Sequence, residues 1–339
     1  MNLFSRRSAL LVLGLFLLFS TLSFYWFLFR PPSHASFIKV IYIRKGMPLK
    51  KISALLEQEG IIRNRHFFIA MATVLGKKAG IKAGEYEFHT RMLPLEVLGI
   101  LAKGQVKLHL VTIAEGYTLS QIAQLLEESE IVDRNAFLQK ASSPAFISSL
   151  GLSLEPGSTL EGYLFPETYH LFKGVDPEEV IRIMVRQFKK VFDPELASRV
   201  SQMGISQREV VTLASIIEKE TPLSEEKPLI SAVFRNRLRK RMPLQSDPTV
   251  IYGIKNFNGN LTKEDLLRPT PYNTYLVNGL PPTPICNPGK DSLLAALYPA
   301  PVPYLYFVSK NNGSHYFSSD IEEHNQAVWR YQKSPPPKK

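Results

Sequence analysis

Residues 113–132 read IAEGYTLSQIAQLLEESEIV, and residues 43–62 read IRKGMPLKKISALLEQEGII. At a constant offset of 70, without a gap, Gly46 falls on Gly116, Leu49 on Leu119, Ile52 on Ile122 and Leu55-Leu56-Glu57 on Leu125-Leu126-Glu127. The match runs on through Ile61-Ile62 and Ile131-Val132 to Phe67 and Phe137. Each copy reads as a short strand and a glycine turn. Leucine and isoleucine then recur at three and four residues, which buries one face of a helix. Thr118 stands where the second helix needs an N-cap. Two copies are too few for a solenoid, which needs about three, so the middle of the chain is a pair of small α/β modules.

The downstream halves also match, at a larger offset. Tyr86-Glu87-Phe88 and Pro94-Leu95-Glu96-Val97-Leu98 correspond to Tyr169-His170-Leu171 and Pro177-Glu178-Glu179-Val180-Ile181. The extra residues of the second copy hold Glu161-Gly162-Tyr163-Leu164-Phe165-Pro166-Glu167. An insertion on a repeated scaffold either carries function or covers a sheet edge, and position alone leaves both open.

Upstream, Ala9 to Phe29 is uncharged, with Tyr25 and Trp26 near one end. As a helix it spans a ~30 Å hydrocarbon core, with amphipathic rings at the headgroup level. It is longer than the ~7–15 residues of a signal-peptide core, which favours an uncleaved anchor over a segment cut at Ser33-His34-Ala35. Arg6 and Arg7 precede it while Arg30, Lys39, Arg44 and Lys45 follow, so local charge does not orient it. A short tail, one anchor and a large body have the form of a signal-anchor protein, and we read the body as lying outside the cytoplasm. The 339-residue length predicts two or three domains. A hydrophobic content of 45% excludes a wholly disordered chain. The one cysteine, Cys286, excludes an internal disulfide and a Cys-based zinc cluster.

Past the repeats, Ser206-Gln207-Arg208-Glu209 is a capping box that opens a helix running to Glu220, and Thr221-Pro222 closes it. Its apolar stripe centres near Val210 and Ile217, with Glu218 and Glu220 on opposite flanks. Either carboxyl, half-buried in a cleft, suits a general acid, and periodicity does not choose between them. The net charge of +11 includes the dense run Arg235–Arg241, which suits guidance of an anionic polymer or a lipid surface but which we read as the solvated last turn of a helix. No zinc-finger or RNP-type motif supports nucleic acid as a partner.

Met242-Pro243-Leu244-Gln245-Ser246-Asp247-Pro248-Thr249 reads as a rigid polar turn, followed by Pro271–Tyr275 and the proline-rich Gly279–Gly289. Rigid loops rich in Tyr, Asn, Gln and Asp fit a preformed groove for a neutral, hydroxyl-rich ligand such as a sugar; a stiffened structural connection is the alternative. A hairpin turning at Asn311-Asn312-Gly313 and a last helix from Glu322 complete the chain. His315 and His324 lack metal-ligand spacing, and no phosphate-binding glycine motif or nucleophile elbow appears, so neither metal nor cofactor is expected.

The ordered blocks EGYLFPETY (161–169), LASIIEKET (213–221), FRNRL (234–238), MPLQSDPTVIYG (242–253), YNTY (272–275) and GLPPTPICNPG (279–289), with a terminal EHN at 323–325, closely resemble the endolytic murein transglycosylases of the YceG-like (MltG) family. The resemblance covers nearly the whole chain. It implies an α+β architecture: a cytoplasmic tail at 1–8, a single-pass inner (plasma) membrane anchor at 9–29, a LysM-like α/β module at 37–106, and a mixed α/β catalytic domain at 107–330 facing the periplasm or cell wall. Residues 331–339 are then a disordered basic tail.

The resemblance also implies the reaction. Similar proteins cut nascent glycan strands internally between N-acetylmuramic acid and N-acetylglucosamine, terminating growth near peptidoglycan synthases. It puts the catalytic acid on Glu218. Tyr163, Gln245, Asp247, Asn273, Tyr275 and Asn287, which lie in the matching blocks, are candidate substrate-positioning residues. One carboxyl would protonate the leaving oxygen and then deprotonate the muramic C6 hydroxyl, which closes a 1,6-anhydro ring without water. A muramidase using water, with Glu220 or Asp247 as second carboxylate, and a non-catalytic wall-binding scaffold are the alternatives.

Overall fold

The computed structural model describes residues 3–33, 36–77, 80–152, 154–155 and 157–333. The fold divides into two units, residues 1–110 with 170–175, and residues 111–169 with 176–339.

The first unit contains α1 (Leu3–Phe29), β1 (Ile38–Ile43), α2 (Leu49–Gln58), α3 (Arg65–Val74), β2 (Gly84–His89) and α4 (Pro94–Lys103). Strands β1 and β2 pair antiparallel, with Ile41 opposite Tyr86. Because strand side chains alternate, Ile41, Ile43, Tyr86 and Phe88 turn inward. They share a core with Ile52, Leu56, Phe68, Met71, Val97 and Leu101. Asn64 caps α3, and Gly104 ends α4 in the left-handed region. Within α1, Ser8–Phe27 is long and apolar enough to cross a membrane.

The second copy of the repeat keeps the same order: β3 (His109–Thr112), α5 (Leu119–Glu128), α6 (Arg134–Ala141), β4 (Thr168–Leu171) and α8 (Pro177–Val191), with α7 (Pro144–Ser149) added. Strand β3 pairs with β4, and the inserted residues 161–167 run directly into β4. Gly46 and Gly116 take the same left-handed turn, at φ 77° and 78°. Thr118 and Gln121 cap α5 reciprocally.

The rest of the second unit comprises α9 (Pro194–Gln202), α10 (Gln207–Glu220), α11 (Lys227–Arg239), α12 (Asp247–Tyr252), α13 (Lys263–Leu266) and α14 (Lys290–Leu297). The hairpin β5 (Tyr306–Ser309) and β6 (His315–Ser318), α15 (Ile321–Val328) and a π-helical turn at Trp329–Lys333 follow. Helix α10 is central and packs on α9, α11, α12 and α14. Every residue from Val210 to Ile217 is buried, so the expected stripe is a helix enclosed on all sides.

Three sequence readings change. The Arg235–Arg241 run is not simply a solvated helix end: Arg235 donates to the Ala296 carbonyl, and Arg237, 7% exposed, donates to those of Leu244 and Leu305. Basic side chains near a helix end here bind carbonyls of the last turn of α14 and of the loops at Leu244 and Leu305. The polar turn at 242–249 is already helical from Asp247. Residues 331–333 of the expected tail are helical; residues 334–339, like His34-Ala35 of the alternative cleavage site, lie outside the described residues.

Candidate active site

The last turn of α10 sends its two glutamates to different surroundings, as their opposite flanks require. Glu218 Oε1 meets Lys227 Nζ at 3.1 Å; Oε2 accepts from the Gly289 N–H at 2.9 Å and from Ser292 Oγ at 2.7 Å. Both oxygens are engaged, and the side chain is 7% exposed. Lys227 also lies 3.9 Å from Glu115, whose carboxyl is pushed up by burial, with the Glu218 charge adding to the effect. Glu218 thereby ties α10 to α11, to α14 and to the end of the proline-rich loop.

Glu220 faces a cavity of about 370 Å³ together with Arg237, Gln245, Asp247, Tyr275, His315 and His324. Ser246 Oγ donates to its Oε1. Burial pushes the Glu220 carboxyl up to about 7; the Asp247 charge adds to this, against the Ser246 hydroxyl and Arg237. A carboxyl held there is half protonated near neutrality, as a general acid requires.

The cavity wall is built by backbone geometry. Gln245 sits at φ 53°, a left-handed conformation rare outside glycine, and its N–H donates to the Thr274 carbonyl. The Arg237 guanidinium holds the carbonyls of Pro243 and Leu244 and reaches Gln245 Oε1 at 3.4 Å. Tyr275 donates its hydroxyl to Asp247 Oδ1 at 2.6 Å. Thr274 Oγ1 accepts from the Ser246 N–H and bonds Thr249 Oγ1 at 2.8 Å, so the turn and the YNTY block form one rigid piece.

Of the six candidate positioning residues, Gln245, Asp247 and Tyr275 therefore gather beside Glu220. The other three are inside the fold. Tyr163, 2% exposed, packs edge-on against Phe188. Asn273 is fully buried, donates to the Leu266 and Arg268 carbonyls and accepts from the Tyr275 N–H. Asn287, also fully buried, accepts from the Leu164 N–H and donates to the Tyr117 carbonyl and Glu161. Their amides satisfy loop backbone, the usual task of a buried polar side chain in a region without a hydrogen-bond ladder.

Sequence reasoning gave no role to Glu161, Arg237 or the His315–Glu226 pair. Glu161, 3% exposed, accepts from the Leu119 N–H at the start of α5, the Tyr252 hydroxyl and Asn287. It lies at a second cavity of about 590 Å³ that is also lined by Lys219, Pro248 and Tyr252. Its place in the insertion was the available signal. His315 Nδ1 lies 2.6 Å from Glu226, whose other oxygen accepts from the His315 N–H. Among the described residues no group of three or more His, Cys, Asp or Glu side chains is arranged to hold a metal ion.

Known proteins with the same features are found. The model of the YceG-like family matches residues 41–330. An endolytic murein transglycosylase of Bacillus subtilis (strain 168) is 32% identical over 305 residues, covering 86% of this chain and 84% of that protein. One from Streptococcus pneumoniae serotype 2 is 31% identical over 320 residues, covering 85% of this chain but 58% of that longer protein. The crystal structure of a yceG-like protein from Listeria monocytogenes superposes with a TM-score of 0.60 at 33% identity, covering 85% of this chain and 98% of that one. With the family model spanning both repeat copies, the two-glutamate helix and the hairpin, this chain belongs to the YceG-like family.

Proposed function

We propose that the chain is an endolytic lytic transglycosylase of peptidoglycan, cleaving the bond between N-acetylmuramic acid and N-acetylglucosamine, and that Glu220 is its proton donor. The observation that carries the reading is the cavity in which Glu220, held near 7, faces Gln245, Asp247 and Tyr275. The names of the curated relatives support the substrate. The resemblance puts the acid on Glu218, whose carboxyl is held by Lys227, Gly289 and Ser292, and Glu218 stays the alternative donor. If Glu220 donates, Glu218 holds the end of α10; if only the Glu218→Gln variant is inactive, Glu218 is the acid.

The chemistry follows from one carboxyl group. Protonated Glu220 donates to the glycosidic oxygen as its bond to muramic C1 breaks, leaving positive charge shared between C1 and the ring oxygen. The resulting carboxylate takes the proton of the muramic C6 hydroxyl as that oxygen bonds to C1. The acid is regenerated, no water is consumed, and one product ends in a 1,6-anhydro ring. An internal nucleophile reacts at high effective concentration, so the second carboxylate that activates water in most glycosidases is not required. In this scheme Asp247 tunes Glu220 and orients Tyr275.

We further assign residues 9–29 as the single-pass anchor, 37–106 as a LysM-like module and 107–330 as the catalytic domain, facing the periplasm or wall beside peptidoglycan synthases. The apolar α1 supports the anchor. The test is digestion of uncrosslinked glycan strands by the full chain and by its Glu220→Gln variant, with the new ends read by mass spectrometry. Anhydro ends from the native chain and none from the variant are expected. Hydrated reducing ends would instead favour a muramidase using Asp247 as second carboxylate. Absence of cleavage by folded protein would favour a wall-binding scaffold.

A further inference from the structure

The apolar helix and the module that follows it are not joined as beads on a string. The 22 uncharged residues between Arg7 and Arg30 rise about 33 Å as a helix, close to the ~30 Å hydrocarbon core. Within that length Ser20, Ser23 and Phe24 are half-buried and Phe27 is 2% exposed, on one helical stripe. What covers the stripe is the module: Phe24 and Phe27 lie 6.1 and 5.6 Å, centroid to centroid, from Phe67 of α3, and α1 also packs on α4. From Ser20 to Phe27 that one stripe is covered while Leu22, Tyr25 and Trp26 stay exposed, and the part exposed on every side, from Ser8 to Phe19, is 12 residues. That is about 18 Å of helix, too short to cross the core alone.

The module's α3–α4 side must therefore share a depth with lipid whenever α1 spans a membrane. Its chemistry suits that depth. Arg30 and Arg63 stack on the Trp26 ring at 5.3 and 4.9 Å, and Arg63 also holds the Pro31 carbonyl. Tryptophan and arginine together belong at the headgroup layer. Beyond Phe67 the exposed face of α3 continues through Ala70 to Val74, which is 81% exposed. Residues 37–106 contain 12 Lys and Arg against five Glu, so this stretch carries +7 of the chain's +11. Each such cation near an anionic leaflet adds to attachment.

We propose that residues 37–106 are seated in the headgroup layer of the bilayer that α1 spans, through the α3–α4 side, with Arg30 and Arg63 beside Trp26 taking lipid phosphate. The proposal rests on the anchor reading. The occupant of this face is an anionic phospholipid surface, by the net charge of residues 37–106, by Arg30 and Arg63 beside Trp26 and by continuity with α1.

The test uses the full chain in vesicles of phosphatidylcholine and phosphatidylglycerol that carry nitroxide lipids. Cys286 is buried, so a fluorophore goes to an introduced cysteine at Ala70, or separately at Val74, with Lys240 in the other unit as reference. Quenching at Ala70 and Val74 at least twofold above that at Lys240, and halved by Arg63→Glu or by omitting phosphatidylglycerol, is the expected result. Quenching at both sites no greater than at Lys240, while the chain floats with the vesicles, overturns the seating and leaves the anchor standing. A chain that does not float with the vesicles overturns both.

Discussion

Lys227 meets Glu218 at 3.1 Å with the two side chains 3% and 7% exposed, an ion pair closed off from solvent. Removing Lys227 leaves the Glu218 charge in the interior without its cation, and removing Glu218 leaves Lys227 only the more distant Glu115 at 3.9 Å; breaking such a pair typically costs up to about 3–5 kcal/mol. Glu218→Gln and Lys227→Met are each expected to lower the unfolding free energy read from urea titration by that order, and the double variant to recover part of the loss. Below its own melting transition, Glu218→Gln retains activity with an unchanged pH profile. Full inactivity at native-like stability would return the role of acid to Glu218.

Glu220→Gln is the opposite case. It removes the proton donor while keeping the Ser246 contact possible, so kcat is expected to fall about 10²–10⁴-fold with little change in the urea midpoint. In the native chain the acid form is lost as pH rises through about 7, so kcat falls on the alkaline side of that value. Initial rates between pH 5 and 9 check the limb.

The divergence of the two glutamates was legible in the sequence; their surroundings were not. Helical spacing put Glu218 and Glu220 on opposite flanks of α10, but the groups that meet them, Lys227, Ser292 and Asp247, come from other elements brought together by tertiary packing. The repeat was legible because both copies bury the same leucine and isoleucine positions and turn at the same left-handed glycine. Asn273 and Asn287 show why the candidate positioning residues are not sorted by sequence alone. An amide that satisfies loop carbonyls and one that binds a sugar hydroxyl look alike in a proline-rich segment, and only burial separates them.

Asp247 lies in the same cavity as Glu220, and its charge helps to hold the acid up. Asp247→Asn removes a like charge and so favours ionised Glu220, lowering its pKa. The alkaline limb of the rate profile is expected to move to lower pH, with the rate at pH 5 less affected than the rate at pH 7. A limb that stays in place would uncouple the two groups.

Asn273→Ala leaves the Leu266 and Arg268 carbonyls and the Tyr275 N–H without their present partner. A buried orphan typically costs about 1–3 kcal/mol. Thermal unfolding should show a loss of that order, with KM within about twofold of native at temperatures where both remain folded. A large rise in KM at unchanged stability would make Asn273 a substrate contact after all.

Glu161 makes stability depend on pH. Burial pushes its carboxyl up to about 7, against the hydrogen bonds from Leu119, Tyr252 and Asn287, whereas in the unfolded chain it returns to about 4.5. Between those values the folded state holds a proton that the unfolded state releases, so the unfolded state binds fewer protons and stability declines as pH rises. The contribution is fully present below about 4.5 and lost above about 7. At about 1.4 kcal/mol per unit it amounts to ~3 kcal/mol. Urea midpoints are therefore expected to fall from pH 5 to pH 8, and Glu161→Gln, which carries no titrating proton, to show a smaller fall across the same range. An equal fall in the variant would mean that Glu161 stays ionised at both pH values, held by its three donors.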